Sequence, residues 1–314
     1  MNQVLTSDTV ASVSLDDAGT PDFTRELGES FVDYGFAILR DHGIPQELIE
    51  RAEAKSKAFF ALPEDVKRQY FIEGMGGARG LTPFGIETAK GAKAHDLKEF
   101  YHVGRELPEG HKFADVMPPN VWPEEVDGFK ETFLELYDAF DAAGRKVLTA
   151  IAEYLEIDTD WFLDSVREGN SVMRLLHYPP QPEPTGEHIR AGAHEDINTI
   201  TLLLGAEEAG LQLKTREGEW LDVSPKPGEL VINIGDMLQR LTNGKLRSTS
   251  HRVINPAPDR ASNARYSMPF FLHFRPDFEI EALPSCVPDG EEPKWPPISS
   301  HEYLMERLRE IKLA

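Results

Sequence analysis

The sequence predicts an α+β protein, with a helical first half packed on a β second half. Three observations carry that expectation. Before Asn170, apolar residues recur at three-to-four spacing, the period of a half-buried helix. After Asn170, short β-rich runs are separated by Gly, Pro and Asn clusters. Between the halves there is no linker-like stretch, so one integrated domain is expected rather than two.

The elements follow in order. Residues 1–20 read as a loose polar lead. From Pro21, the residues Phe23, Leu27, Ser30, Phe31 and Tyr34 share one helical face, and Gly35 ends the stretch. Phe36 to Leu39 reads as a short buried strand. Pro45 starts a helix to about Leu62, and Pro63 with Glu64 and Asp65 suits another helix start. Gly74 to Gly91 holds six glycines and Pro83, a long loop of the kind that borders a binding site. No Gly-Lys-Ser/Thr follows it, so it is not a phosphate loop. Phe129, Phe133, Leu136, Phe140, Val147, Ile151 and Leu155 make one long amphipathic helix, with a bend expected near Gly144. The β runs fall at 171–178, 198–204, 211–213, 229–234, 250–254 and 265–274, a rhythm that suits a sandwich, a jelly roll or a barrel. Gly235-Asp236 reads as a turn and Asn243-Gly244 as a hairpin signal. From about Ser299 to Leu313 the chain is helical again.

Composition narrows the function classes. Asp and Glu number 54 against 33 Lys and Arg, a formal net charge of −21. Such a surface repels phosphate backbones and anionic membranes, so neither nucleic acid nor membrane is expected as a partner; oligomeric state stays open. The single Cys286 excludes an internal disulfide and a thiolate cluster. Any metal must sit on His, Asp, Glu, carbonyl or water. The start of the chain has no basic run followed by a long apolar one, and the longest apolar runs are short, as in Leu202-Leu203-Leu204. The expectation is a cytoplasmic protein.

Of ten histidines, only His194 is followed two positions later by an acid, in His194-Glu195-Asp196. In extended backbone, positions i and i+2 project to one face. His194 and Asp196 can therefore chelate one ion, while Glu195 points away. His251, opening another β run, is the candidate third ligand. Two imidazoles and one carboxylate leave coordination positions open for substrate and O2, the arrangement of non-haem iron(II) oxygenases. The other eight histidines are read as hydrogen-bonded structural residues, the commoner fate of a histidine. Fourteen residues after His251, Arg265 and Ser267 share one strand face. A guanidinium fork beside a hydroxyl suits a carboxylate; the competing reading is a surface arginine next to a turn. Pro269 then requires an edge strand or a bulge.

An ordered set of motifs resembles the isopenicillin N synthase-like branch of the iron(II)/2-oxoglutarate-dependent dioxygenases. It runs through Gly35-Phe36, Asp41-His42-Gly43-Ile44-Pro45, Phe59 to Pro63, Arg79-Gly80 to Gly85 and Asp96 to Glu99. It continues in His194 to Leu203, Gly210 to Leu213, Gly228 to Asp236, Leu241 to Lys245, Ser250 to Val253 and Arg265 to Ser267. The likeness spans about residues 22–275. It implies a double-stranded β-helix (jelly roll) flanked by helices. The regions are then a loose lead (1–20), a mostly helical region (21–168), the dioxygenase β core (169–280) and a C-terminal segment with a helix (281–314), in one integrated domain. The resemblance implies that His194, Asp196 and His251 bind Fe(II), and that Arg265 and Ser267 bind the distal carboxylate of 2-oxoglutarate. Tyr178 matches a tyrosine that helps hold that cosubstrate, although the usual Asn-Tyr-Tyr-Pro is Leu176-His177-Tyr178-Pro179 here.

The implied activity is O2-dependent oxidation of a small organic substrate (hydroxylation, desaturation or cyclisation), with 2-oxoglutarate converted to succinate and CO2. One alternative is a 2-oxoglutarate-independent iron(II) oxidase of the isopenicillin N synthase type. Another is a non-catalytic metal- or ligand-binding protein on the same fold. Arg79, Thr82, Phe84, Phe100, Arg174 and Asn198 are the candidate substrate-side residues. Arg79 is either a partner for a substrate carboxylate or a solvated loop arginine.

Overall fold

The computed structural model describes residues 10–75, 77–86, 96–180, 189–204, 210–256 and 260–310. Residues 1–9 of the expected lead, Gly76 and residues 87–91 of the glycine-rich loop, and residues 311–313 of the expected tail helix lie outside them.

The helices form where period and caps place them. α1 (Pro21–Asp33) begins at Thr20, whose hydroxyl accepts from the Phe23 amide, with Pro21 in the first turn. α2 (Gln46–Phe60) and α3 (Glu64–Lys67) follow their prolines. α4 runs unbroken from Phe129 to Leu155 through Gly144, and α5 spans Thr159–Asp164. The lead is not wholly loose. β1 (Ser12–Ser14) pairs in parallel with β2 (Phe36–Arg40), and Val13 and Leu15 are buried.

The first half also contributes β3 (Gly80–Thr82) and β4 (Glu99–Gly104), neither of which the sequence pattern revealed. β4 is buried along its whole length yet carries Glu99 and His102, so it lacks the apolar signature of a buried strand. The second half supplies β5 (Val172–Tyr178), β6 (Ala191–His194), β7 (Ile200–Leu204), β8 (Leu211–Lys214), β9 (Trp220–Asp222), β10 (Leu230–Ile234), β11 (His251–Val253) and β12 (Arg265–Leu272). β13 (Glu279–Ile280) and β14 (Ile298–Ser299) form a separate small pair.

Eight strands form one sheet in the order β1-β2-β10-β7-β12-β5-β4-β3, and four form a second in the order β6-β11-β8-β9. The large sheet interleaves strands from both halves of the sequence. Strand alternation gives it two unlike faces. One presents Met173, Leu175, Leu202, Leu204, Phe270 and Leu272 to a core shared with α1, α2 and α4. There Phe140 of α4 stacks on Phe270, ring centroids 5.4 Å apart and 5° from parallel. On the other face a smaller cluster includes Ile38, Phe100, Leu176 and Tyr178 with Leu213 and Val253 of the four-stranded sheet. The candidate residues Tyr178, Arg265 and Ser267 lie on this second face.

Two local expectations are corrected. Pro269 sits neither on an edge nor at a register shift. β12 is flanked by β7 and β5, and its register to β5 is the same at Ser267↔Leu176 and at Phe270↔Met173, either side of the proline. Asn243-Gly244 makes no hairpin. Both residues have positive φ and close α6 (Asp236–Leu241), with the Gly244 amide donating to the Gln239 carbonyl. α7 (Ser300–Glu310) is the helix expected at the C-terminal end.

Candidate active site

His194 ends β6 and His251 opens β11, and the two are direct cross-strand partners. Register, not sequence distance, brings their rings to 4.4 Å between centroids. Asp196 lies just beyond β6. Its carboxylate Oδ1 is 3.8 Å from His194 Nε2 and 3.7 Å from His251 Nε2. One ligand atom from each of the three lies within 4.8 Å of the others.

The remaining polar atoms of the three are committed elsewhere. His194 Nδ1 bonds the Gly192 carbonyl at 2.7 Å and His251 Nδ1 bonds the Thr249 carbonyl at 3.0 Å. A carbonyl only accepts, so each ring carries a proton on Nδ1 and turns Nε2 toward Asp196. Asp196 Oδ2 accepts from Thr201 Oγ1 at 2.5 Å and from Asn233 Nδ2 at 2.8 Å. Thr201 and Asn233 are themselves cross-strand partners on β7 and β10. Asn198 donates through Nδ2 to Thr201 Oγ1, so it supports this arrangement from one step away.

The backbone of the Asp196 segment is held by the start of α6. The Asp236 amide donates to the Asp196 carbonyl and the Met237 amide to the Ile197 and Asn198 carbonyls. Gly235 is needed at this approach, because a Cβ there would stand 2.1 Å from the Asn198 carbonyl oxygen. What reads in sequence as a turn is thus the support of the ligand loop.

Electrostatics favour metal-ready protonation states. Burial, then the neighbouring His251, pull His194 down to about 4, so it is neutral at neutral pH. Burial opposes ionisation of Asp196, but His251 and His194, then Asn233 and Thr201, outweigh it and hold its pKa below the ordinary aspartate value. Two imidazoles beside an ionised carboxylate are the nitrogen and oxygen donor set that suits Fe(II). Among the described residues, no other group of three such side chains meets this geometry.

Two of the three ligand candidates, His194 and Asp196, border a cavity of about 580 Å³. His194 is the open member, with 38% of its side chain exposed against 6% for Asp196 and 9% for His251, so access is from its side. Asp96 and Lys98 line the same cavity as a buried ion pair at 2.9 Å, and Asp96 also accepts from the Gly192 amide, pinning β6 to the start of β4.

The candidate anion-binding residues lie on the face turned to the second sheet. Arg265 and Ser267 are 3% and 5% exposed, which rules out the surface-arginine reading. Arg265 Nη1 donates to Ser267 Oγ at 3.0 Å. Arg265 faces Tyr178 across the β12–β5 ladder and lies 5.1 Å over its ring. A second guanidinium, Arg190, lies 6.0 Å from the same ring on its way to the Asn263 carbonyl. No spacing signal in the sequence singles out Arg190.

The substrate-side candidates separate. Arg79, Arg174 and Asn198 line the cavity. Thr82, Phe84 and Phe100 are not among its lining residues. Phe84 is 44% exposed on the loop, while Phe100 is buried beneath Arg174. His177, standing where the family has tyrosine, points to the helix face, where it pairs with Glu99 at 2.8 Å and stacks on Tyr266. Sequence reasoning missed His273 and the place of α7 beside the cavity. His301, Leu304 and Met305 of that helix form part of the cavity wall.

Residues 169–274 match the family described as the 2OG-Fe(II) oxygenase superfamily. Residues 9–125 match the N-terminal family described as non-haem dioxygenase in morphine synthesis. The chain is 36% identical to the 2-oxoglutarate-Fe(II) type oxidoreductase hxnY of Emericella nidulans, over 92% of this chain and 84% of that protein. The chain belongs to the 2OG-Fe(II) oxygenase superfamily. Among solved structures, a 2OG-Fe(II) oxygenase family protein from Caulobacter crescentus superposes with a TM-score of 0.89 at 53% identity, covering 96% of this chain and 99% of that one. A full-length Neurospora crassa protein solved in complex with alpha-KG superposes with a TM-score of 0.86 at 31% identity, covering 98% of each chain.

Superfamily membership makes the β core a double-stranded β-helix. It makes the protein an iron(II)- and 2-oxoglutarate-dependent dioxygenase, an oxidoreductase with O2 as its usual cosubstrate. Of the readings left open by the sequence, the 2-oxoglutarate-independent oxidase and the non-catalytic binding protein give way to this one. Among the described residues, no helix is long and apolar enough to cross a membrane.

Proposed function

We propose that His194, Asp196 and His251 hold Fe(II), that Arg265, Ser267 and Tyr178 hold the distal carboxylate of 2-oxoglutarate, and that the cavity beside His194 takes a small organic substrate. The observation that carries this is the convergence of two Nε2 atoms on one Asp196 oxygen while every other polar atom of the three side chains is occupied. Small-molecule oxidation is supported by the relatives: the Neurospora crassa protein has been solved with alpha-KG and thymine, and with alpha-KG and 5-formyluracil.

Bound iron would supply O2 activation coupled to oxidative decarboxylation of 2-oxoglutarate to succinate and CO2. The protein positions and excludes. Arg265 would grip the far carboxylate through its guanidinium fork with Ser267 beside it, which orients the keto-acid end of the cosubstrate toward the ligand cluster. Leu176, Leu211, Leu213 and Val253 are buried in the same cluster as Tyr178 and would keep water from its carbon chain. Thr201 and Asn233 hold the Asp196 carboxylate in one orientation so that Oδ1 stays available.

One integrated domain suits the interleaved sheet, in which β2 of the first half lies against β10 of the second and β4 against β5. The charge of −21 supports a role without nucleic acid or anionic membrane. The lone, free Cys286 supports a cytoplasmic setting.

The test is anaerobic. Adding Fe(II) and then 2-oxoglutarate to the apoprotein is expected to produce a weak visible charge-transfer band with one iron bound per chain. Iron binding with no dependence of the band on 2-oxoglutarate would refute the cosubstrate assignment.

A further inference from the structure

Away from the ligand cluster, the cavity wall contains a buried cation with no ion-pair partner among the described residues. Arg79 is 2% exposed, against the solvated-loop alternative. Its Nη1 donates to the Ala78 carbonyl at 2.7 Å, but Nε and Nη2 are buried with no acceptor among the described residues. Those two nitrogens form one edge of the guanidinium, the edge that meets both oxygens of a carboxylate in a parallel pair of hydrogen bonds. The guanidinium lies flat on Gly104, where a Cβ would stand 2.0 Å from Cζ. Burial draws its pKa down to about 10, with Glu106 acting on it only at a distance, and the charge persists at neutral pH. A water could satisfy the two N–H groups but would leave the charge uncompensated.

The other cations of the wall are already matched. Lys98 is paired with Asp96 and Arg307 with Glu310. Arg174 is sandwiched by Phe100 at 4.1 Å and Phe271 at 5.2 Å, and donates Nε to His102 Nε2 at 2.6 Å. His102 in turn bonds the Gly77 carbonyl through Nδ1, which fixes the segment leading into Arg79. The wall also offers apolar surface from Val172, Phe271, Pro118, Leu304 and Met75. His273 lies within electrostatic reach of both Asp196 and Arg79, so both ends belong to one continuous surface.

We propose that the substrate is a small organic acid whose carboxylate is anchored on the Nε–Nη2 edge of Arg79, with its apolar body lying along Phe271 and Val172 toward His194. The inference rests on the assignment of the His194 cluster as the iron site, and it supplies what that assignment lacks, the class of substrate. The body fits an aromatic or compact aliphatic group, since about 580 Å³ lies within the range of small-molecule sites.

The experiment compares acids with their neutral amides on the anaerobic Fe(II)·2-oxoglutarate protein. Benzoate, phenylacetate and 3-phenylpropionate are each set against the matching amide, with 2-oxoglutarate saturating to block its own site. Binding is read by equilibrium dialysis and by perturbation of the charge-transfer band. At least one acid is expected to bind at least tenfold tighter than its amide, and Arg79→Met is expected to abolish that preference while the 2-oxoglutarate band persists. Equal binding of every acid and its amide, binding of no acid, or a preference that survives in Arg79→Met would overturn the proposal. The wild-type comparison decides even if the variant does not fold. Loss of the band in wild type would instead refute the iron and cosubstrate assignment, and dialysis still reads the acid preference.

Discussion

The two faces of the eight-stranded sheet are built from the same strands and do opposite work. On β12, Met268, Phe270 and Leu272 enter the helix-packed core, while the intervening Arg265, Ser267 and Phe271 face the second sheet or the cavity. On β5, Met173 and Leu175 go one way, and Arg174, Leu176 and Tyr178 the other. The helix face is a continuous apolar contact and supplies stability. The opposite face concentrates polar groups that gain little from burial and are kept there by mutual hydrogen bonds. Because side chains alternate strictly, a one-residue slip of either strand would exchange the two sets. Chemistry is therefore confined to one face by register, and stability is anchored on the other.

That contrast can be broken most sharply at His194. His194→Ala is expected to lower turnover more than about 100-fold, beyond the loss typical of residues that merely support a metal ligand. Its melting temperature should stay close to wild type, because the side chain is partly open and packs in neither apolar core. Succinate release and thermal melting on the same samples check both halves. Phe140→Ala should do the reverse, costing about 3–5 kcal/mol of stability through the lost stack on Phe270, with activity per folded molecule unchanged. Chemical denaturation measures the first and iron-normalised turnover the second.

Arg265→Ala sharpens the comparison further. It should raise the 2-oxoglutarate concentration needed for half-saturation about 50-fold, roughly 2–3 kcal/mol, while the iron affinity measured without cosubstrate holds. The smallest effect tests an exception on the helix face, the buried cluster of Glu99, Lys67 and His177. Burial pushes the Glu99 carboxyl upward, but hydrogen bonds from His177 and Lys67, with their charges, bring it below its usual value of 4.5. A carboxylate depressed in the folded state stabilises fully above its unfolded pKa and loses that contribution as pH falls through the folded value. Glu99→Gln should therefore cost about 2 kcal/mol at pH 7, and the gap from wild type should narrow as the pH falls below 4.5. Urea midpoints across pH 3–7 decide it.

Much of this arrangement was legible in residue order. The helices over 21–33, 46–60 and 129–155 followed their periodicity and prolines. His194 and Asp196 stood out by their two-residue spacing, and Arg265 with Ser267 by the same parity. The misses share a cause. β6 is Ala-Gly-Ala-His, with almost no intrinsic strand preference, and exists because β11 pairs with it. The signals at Pro269 and Asn243-Gly244 were overridden, the first by pairing with β7 and β5, the second by the preceding α6. Thr82, Phe84 and Phe100 were placed near the pocket by loop proximity alone, which says nothing of where a side chain turns.

The sequence by itself determined which residue types were available: one cysteine, an acidic surface, a His-x-Asp pair, an Arg-x-Ser pair and a strand alternation that separates apolar from polar side chains. Local chemistry and period are written in neighbouring residues, so they can be read there. Only the tertiary structure decided that His251 stands opposite His194, that Thr201 and Asn233 converge on Asp196, and that Arg79 is buried with no ion-pair partner among the described residues. Those facts depend on strand register and on contacts between distant segments, which are settled when the sheets and helices pack together.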